Sequence, residues 1–236
     1  MDVVVVLPAF QPSPAFPARV RTFHEMLAAP VVVVDDGSDA TRHPLFSEAA
    51  TVPDCLVLRH DVNRGKGAAL KTAFAEVARR FPECAGVVTV DADGQHAPED
   101  VLQLAETMLA GPSALYLGVR DFSLRTTPFR SWWGNRWTSM LFGLLFHRWI
   151  PDTQTGLRAF RRADIPFFLS IPGDGYDYEM AALARAVRTG IAMRTLPVRT
   201  IYGTLDAPSH FQPLRDTIRI HWALFRSFFT TKRRST

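Results

Sequence analysis

The stretch that most constrains this chain is Val87–His96, V-V-T-V-D-A-D-G-Q-H. An apolar, β-branched run stops abruptly at two carboxylates, Asp91 and Asp93, with Ala92 between them and Gly94-Gln95-His96 turning the chain. Continuous apolar runs of this kind mark strands buried on both faces, and in open α/β sheets ligands bind beyond the carboxyl ends of such strands. Two acids this close at a strand end repel each other and lose hydration, so the arrangement calls for a cation. Their hard oxygens suit Mg²⁺ or Mn²⁺, which often complete their shells with substrate phosphate oxygens. A second reading stands beside this one: Asp93 and Asp100 can serve only to start the helix that follows Pro98.

The same punctuation recurs along the chain. Val3–Leu7 is an apolar run closed by Pro8, with a proline-punctuated loop to Pro17 and helical character over Val20–Leu27. Val31–Val34 again ends in acids, Asp35 and Asp36, and Gly37 supplies a turn. Leu56–Leu58 reads as a third strand, leading through N-R-G-K-G to a helix over Ala68–Arg80. Strands over Val87–Val90 and Ala114–Val119 flank a helix over Glu99–Leu109, and Ile191–Val198 with Arg199–Tyr202 closes the sheet. Strands alternating with helices of this length predict an α/β fold, a mostly parallel central sheet with helices on both faces.

Three further segments carry polar groups with two readings each. Gly65-Lys66-Gly67 fits neither the Walker nor the dinucleotide spacing, which leaves a glycine-flexible helix start bearing Lys66, either an anion site or a solvated lysine. Gly173–Glu179, G-D-G-Y-D-Y-E, places Asp177 and Glu179 before a helix over Met180–Arg188; these acids either cap it or act as a base or sugar ligand. Phe129–Ile150 reads as a buried helix rich in Trp and Phe, in which Arg130 and Asn135 are hard to explain as core.

Composition narrows the class. With 47% hydrophobic and 21% charged residues in 236, the chain is an ordinary globular one, long enough for a substantial core. Its two cysteines, Cys55 and Cys84, make neither a disulfide framework nor a metal spacing, which fits a reducing compartment. Met1-Asp2 lacks a basic leader, Pro8 interrupts the first apolar run, and no stretch reaches the length of a membrane span. From His210 onward six basic residues face one acid, so that segment carries +5 of a net +4 and the remainder is −1. Leu214, Ile218, Trp222, Phe225 and Phe229 share one helical face there. A basic aromatic helix of this kind suits a membrane interface, or it docks on the protein's own core.

Taken in order, L-P-A-F at Leu7–Phe10, V-V-D-D-G-S-D-A-T at Val33–Thr41, N-R-G-K-G-A-A-L at Asn63–Leu70 and D-A-D-G-Q-H at Asp91–His96 resemble the family 2 glycosyltransferases of GT-A fold. G-V-R at Gly118–Arg120, R-S at Arg130-Ser131 and D-T-Q-T-G-L-R-A-F at Asp152–Phe160 extend the resemblance, nearest to polyprenyl-phosphate mannose and glucose synthases. It covers residues 3 to 220 or so. It implies a GT-A, Rossmann-like domain over 1–212 and a basic amphipathic helix and tail over 213–236.

By position, the resemblance implies that Pro8 and Ala9 line a nucleotide pocket and that Asp36, with Asp35 beside it, binds the base. Lys66 lies near the nucleotide. Asp91 and Asp93 hold Mg²⁺ or Mn²⁺ with Gln95 as a further ligand, and Asp91 also belongs to the nucleotide side. Arg120 and Arg130 meet the diphosphate and the acceptor phosphate, and Asp177 and Glu179 lie on the acceptor side. The implied activity is metal-dependent, inverting transfer of a hexose from a UDP- or GDP-sugar to a polyprenyl phosphate. The alternatives are a saccharide hydroxyl acceptor or a nucleotide-binding module without turnover. The implied setting is cytoplasmic, peripheral on the inner face of the membrane through the C-terminal helix, with no nucleic-acid partner.

Overall fold

The structure, a computed structural model, describes residues 1–120 and 129–199, with the side chains of 129–134 excepted. The amphipathic helix expected over 213–236, the boundary at 212, the strand residues 200–202 and the Arg130 side chain therefore lie outside the described residues.

Among the described residues seven strands form one sheet: β1 (Val3–Ala9), β2 (Val31–Asp35), β3 (Cys55–Arg59), β4 (Gly86–Thr89), β5 (Leu115–Arg120), β6 (Arg158–Arg161) and β7 (Met193–Val198). Their spatial order is β3-β2-β1-β4-β6-β5-β7. The helices are α1 (Phe16–Leu27), α2 (His43–Ala49), α3 (Lys66–Arg80), α4 (Pro98–Ala110), α5 (Phe129–Phe146), α6 (Ile165–Leu169) and α7 (Asp177–Thr189).

The valine runs become strands because both of their faces are covered. Val4, Val6, Val32 and Val34 point into one core with α3, α5, α6 and α7. Val3, Val5, Leu7, Val31 and Val33 point into another, with α1, α2 and α4. Alternate side chains thus bury on opposite faces, and an uninterrupted apolar run is what a sheet covered on both sides requires. The predicted α/β class, with helices on both faces, is the one observed.

Several edges differ from expectation for local reasons. Helix α1 starts at Phe16 rather than Val20, because Pro17 sits in its first turn, where a missing amide costs nothing. Helix α3 starts at Lys66, two residues early, with Gly65 at φ +100° as the cap. Helix α7 takes in Asp177 and Glu179 as its first turn instead of following them.

Strand β6 is the topological departure, since it runs antiparallel to both β4 and β5. The turn before it explains the reversal. Asp152 accepts from Arg120 at the end of β5, and Thr89 at the end of β4 donates to the Gly156 carbonyl at 2.8 Å. The chain is therefore already at the carboxyl edge of the sheet when β6 begins, and it can only run back. Asn135, which looked out of place in a core helix, serves this turn: it is buried, and its Nδ2 donates to the Pro151 carbonyl at 2.9 Å.

Candidate active site

The loops after β1, β2 and β4 meet at one edge of the sheet. Pro8 and Ala9 pair with Val34 and Asp35 in parallel register, and the Asp36 amide donates to the Ala9 carbonyl at 2.8 Å. Asp91–Gln95 follows β4, the strand paired to the other side of β1. The expected nucleotide-side and metal-side residues are thus brought to adjacent strand ends.

Asp35 and Asp36 are both buried, and both carboxylates organise the loops around them. Asp35 accepts from the Ser38 amide at 2.9 Å and pairs with Arg59 at 2.9 Å. Asp36 accepts from the Arg64 and Gly65 amides at 2.9 and 2.8 Å and meets His60 Nδ1 at 2.7 Å. The other ring nitrogen of His60 lies 2.9 Å from Thr72 Oγ1 on α3. Asp36 therefore shapes the glycine loop that leads into α3 and aims Lys66.

Lys66 is the residue whose place the sequence concealed. Its ammonium lies 2.6 Å from Asp91 Oδ1 and 2.7 Å from Glu179 Oε2, so it bridges the end of β4 and the first turn of α7. Burial works against this charge, but the two carboxylates outweigh it and hold the lysine pKa above its ordinary value. Gly67 permits the approach, because a Cβ there would lie 2.5 Å from the Tyr178 Cβ. Gly156 does the same for Asp91, since a side chain at that position would overlap its carboxylate.

The two acids after β4 sit in different fields. Burial pushes Asp91 upward, but Lys66, with His96 and Arg120, overrides it and leaves its pKa below the usual carboxylate value. Asp93 goes the other way: burial first, and then the Asp91 charge, push its pKa up. Its Oδ1 accepts from the Gln95 amide at 3.0 Å, closing the turn. His96 follows, buried, with its Nδ1 lacking a partner, and its burial lowers its pKa.

Arg120 ends β5 and grips the buried Asp152 with two nitrogens, Nε at 2.7 Å and Nη2 at 3.2 Å. Asp177 lies half-buried in the first turn of α7, against Gly173. Glu179 is buried and also stands 3.8 Å from Arg158, whose Nη1 donates to the Glu179 carbonyl at 2.9 Å. Sequence reasoning missed Arg158 and His60. One reads as an ordinary strand residue and the other as a loop histidine, and only the fold brings them to these acids.

A divalent cation suits this edge. Burial and the neighbouring Asp91 charge outweigh the Gln95 amide at Asp93 and raise its pKa, and a cation at the turn would relieve both. Among the described residues no three His, Cys, Asp or Glu side chains converge into a metal site of their own. Oxygens from a phosphate ligand would then complete the shell, as Mg²⁺ commonly arranges.

Comparison with known proteins places the whole edge in context. Residues 5–166 match the family described as Glycosyl transferase family 2. An uncharacterized protein of Methanocaldococcus jannaschii is 30% identical over 206 residues, covering 85% of this chain and 82% of that one. The polyprenol monophosphomannose synthase of Mycolicibacterium smegmatis is 29% identical over 207 residues, covering 83% and 76%. The UDP-N-acetylglucosamine–dolichyl-phosphate N-acetylglucosaminyltransferase of Methanococcus voltae is 23% identical over 217 residues, covering 85% and 86%. In fold, the chain is similar to glucosyl-3-phosphoglycerate synthase from Mycobacterium tuberculosis, crystallised with Mn²⁺, UDP and phosphoglyceric acid. That likeness has a TM-score of 0.72 at 18% identity and covers 98% of this chain and 80% of the other. The sheet, the strand-end acids and the match over more than half the chain agree: this protein belongs to glycosyl transferase family 2.

Proposed function

We propose that the protein transfers a hexose, with inversion, from a UDP- or GDP-sugar to a polyprenyl phosphate, using Mg²⁺ or Mn²⁺. The observation that carries this reading is the pair of unlike carboxylates after β4, one paired with Lys66 and the other, held by the Gln95 amide, pushed up in pKa by burial and by its neighbour. Relatives named for dolichyl- and polyprenol-phosphate products support the acceptor, and a fold neighbour crystallised with Mn²⁺ and UDP supports the donor and ion.

In this reading Pro8, Ala9 and the loops shaped by Asp35 and Asp36 receive the nucleotide. Asp91 and Asp93, with Gln95, would hold the cation, which would supply charge to offset that of the departing diphosphate. The acceptor phosphate oxygen forms the new bond to the anomeric carbon while the bond to the donor β-phosphate oxygen breaks and its electron pair departs with the nucleoside diphosphate. Arg120, anchored at the end of β5 by the Asp152 carboxylate, is assigned to the diphosphate, and Arg130 to the acceptor phosphate. A phosphate is already anionic at neutral pH, so no proton has to be removed from it. This agrees with Glu179, the buried acid that Lys66 ties to Asp91, being engaged by Lys66 and Arg158 rather than poised alone. Asp177, half-buried at the start of α7, is the residue that favours the alternative of a hydroxyl acceptor needing a base.

A lipid acceptor also asks for contact with a membrane. The described residues contain no helix long and apolar enough to cross one. Helix α5 and the turn after it instead expose Trp137, Met140, Leu144 and Trp149, beside exposed Arg136, His147 and Arg148. Trp137, Met140 and Leu144 share a helical face, and the sequence holds no acid between Asp121 and Asp152. An aromatic, basic surface of this kind matches an anionic bilayer.

A donor panel tests the activity: UDP- and GDP-sugars with Mn²⁺ or Mg²⁺, with and without a short polyprenyl phosphate. Sugar-lipid formation from one donor supports the reading. Transfer to a free saccharide, with the lipid phosphate inert, supports the alternative.

A further inference from the structure

Arg19 belongs to α1, far in sequence from the acids of β4, yet its Nη1 reaches the Ala92 carbonyl at 3.3 Å. Ala92 is the residue between Asp91 and Asp93. The same nitrogen donates to Ser13 Oγ at 3.1 Å, and Ser13 is buried. One residue past Asp93, Gly94 has a φ of +81°, and a Cβ there would overlap the Arg19 guanidinium, lying 2.5 Å from its Nε and 2.6 Å from its Nη2. The guanidinium therefore packs flat against the Gly94 backbone while holding the Ala92 carbonyl. Glycine is needed here twice over, for the left-handed backbone and for the cation lying on it.

The anchor at Ser13 ties this contact to the other strand ends. In the same loop, the Gln11 amide donates to Ser38 Oγ at 2.9 Å, and the Ser38 amide donates to Asp35 Oδ1 at 2.9 Å. Other groups fix the carboxylates themselves: Lys66 holds Asp91, and the Gln95 amide holds Asp93. Arg19 holds the backbone from which both project. A planar fork with several donors is suited to gripping a carbonyl and covering a peptide at once, which an ammonium is not.

We propose that Arg19 is a positioning residue for the carboxylate pair: held by the loop after β1, it fixes the Ala92–Gly94 backbone and so the spacing and aim of Asp91 and Asp93. The inference rests on the reading of those acids as the cation site. Groups that orient metal ligands without touching the metal commonly contribute a 10- to 100-fold effect on affinity, roughly what is expected here.

The test uses the full chain carrying Arg19→Met and, separately, Arg19→Lys. Two quantities are read: amide hydrogen exchange across Ala92–His96, and Mn²⁺ affinity by electron paramagnetic resonance. In Arg19→Met the exchange across the turn rises about tenfold or more while that of β1 and β2 stays unchanged, and Mn²⁺ binds about 10- to 100-fold more weakly. Arg19→Lys, which can still reach the Ala92 carbonyl, falls between. Should Arg19→Met fail to fold, Arg19→Lys carries both readouts, with smaller shifts in the same direction. Unchanged exchange across the turn, or raised exchange with unchanged Mn²⁺ affinity, overturns the proposal. Wild-type protein that binds no Mn²⁺ overturns the metal reading of Asp91 and Asp93 instead, and Arg19's hold on the turn is still judged by exchange.

Discussion

Lys66 Nζ stands between Asp91 Oδ1 and Glu179 Oε2, at 2.6 and 2.7 Å, and so joins the carboxyl end of β4 to the first turn of α7. Its side chain is 14% exposed, so the bridge is largely sheltered from water. Removing one partner of a buried pair leaves uncompensated charge. Lys66→Met is therefore expected to cost about 3–5 kcal/mol at pH 7. The loss should shrink toward low pH, where Asp91, without the lysine charge that holds its pKa down, takes up a proton instead. Urea unfolding at pH 7 and at low pH checks this, and a variant as stable as wild type at pH 7 would show that the bridge carries no weight.

Asp93 behaves oppositely. Its folded pKa is raised by burial and by Asp91, so the native state binds the proton more readily than the unfolded chain does. Its ionisation therefore takes stability away as pH rises from the unfolded carboxylate range through the folded pKa. Asp93→Asn removes that term. Without metal, the variant should melt at or above the wild-type temperature at pH 7, and the gain should vanish at low pH. In the same variant Mn²⁺ no longer raises the melting temperature, as loss of a ligand requires. Calorimetry with and without Mn²⁺ measures both, and a large loss of stability at neutral pH would contradict the assignment.

These two acids show what a sequence discloses and what it hides. The valine runs, their abrupt acidic ends and the glycines were legible, because a sheet covered on both faces and a ligand at its carboxyl edge impose those patterns locally. The direction of β6 was not legible, since it depends on Asp152 and Gly156 reaching β5 and β4 across long separations. Lys66 read as an anion site or a solvated lysine at a helix start; its carboxylate neighbours show only once α7 is placed. The partners of Asp36 were hidden as well: its oxygens accept from the amides of the loop before α3. Charge type is local and readable; charge partnership is tertiary.

Glu179 is, with Asp177, one of the two acids a hydroxyl acceptor would use as a base. If it is a charge partner of Lys66, Glu179→Gln alters donor affinity and leaves the pH profile of turnover with the same limbs. If it is a base, turnover falls by about 10²–10⁴ and the acidic limb of the profile is lost. The account predicts the first outcome, and steady-state kinetics between pH 5 and 9 with a saturating donor distinguishes them.

The exposed face of α5 yields a binding prediction. Replacing Trp137 and Leu144 with Gln, both already in contact with water, should leave the melting temperature within a few degrees of wild type. Co-sedimentation with vesicles containing anionic lipid should fall several-fold, and raised salt should weaken the wild-type interaction. Equal sedimentation of variant and wild type would remove this face from membrane contact.

The account turns on the acids after β4 serving sugar transfer to a lipid phosphate. The measurement that meets this most directly is formation of sugar-linked polyprenyl phosphate by wild-type protein and by Asp93→Asn, each with Mn²⁺ and with chelator. Expected are product from wild type with metal, none in chelator, and a fall of about two orders of magnitude or more in the variant with metal. Undiminished product from Asp93→Asn, or from wild type in chelator, would contradict it.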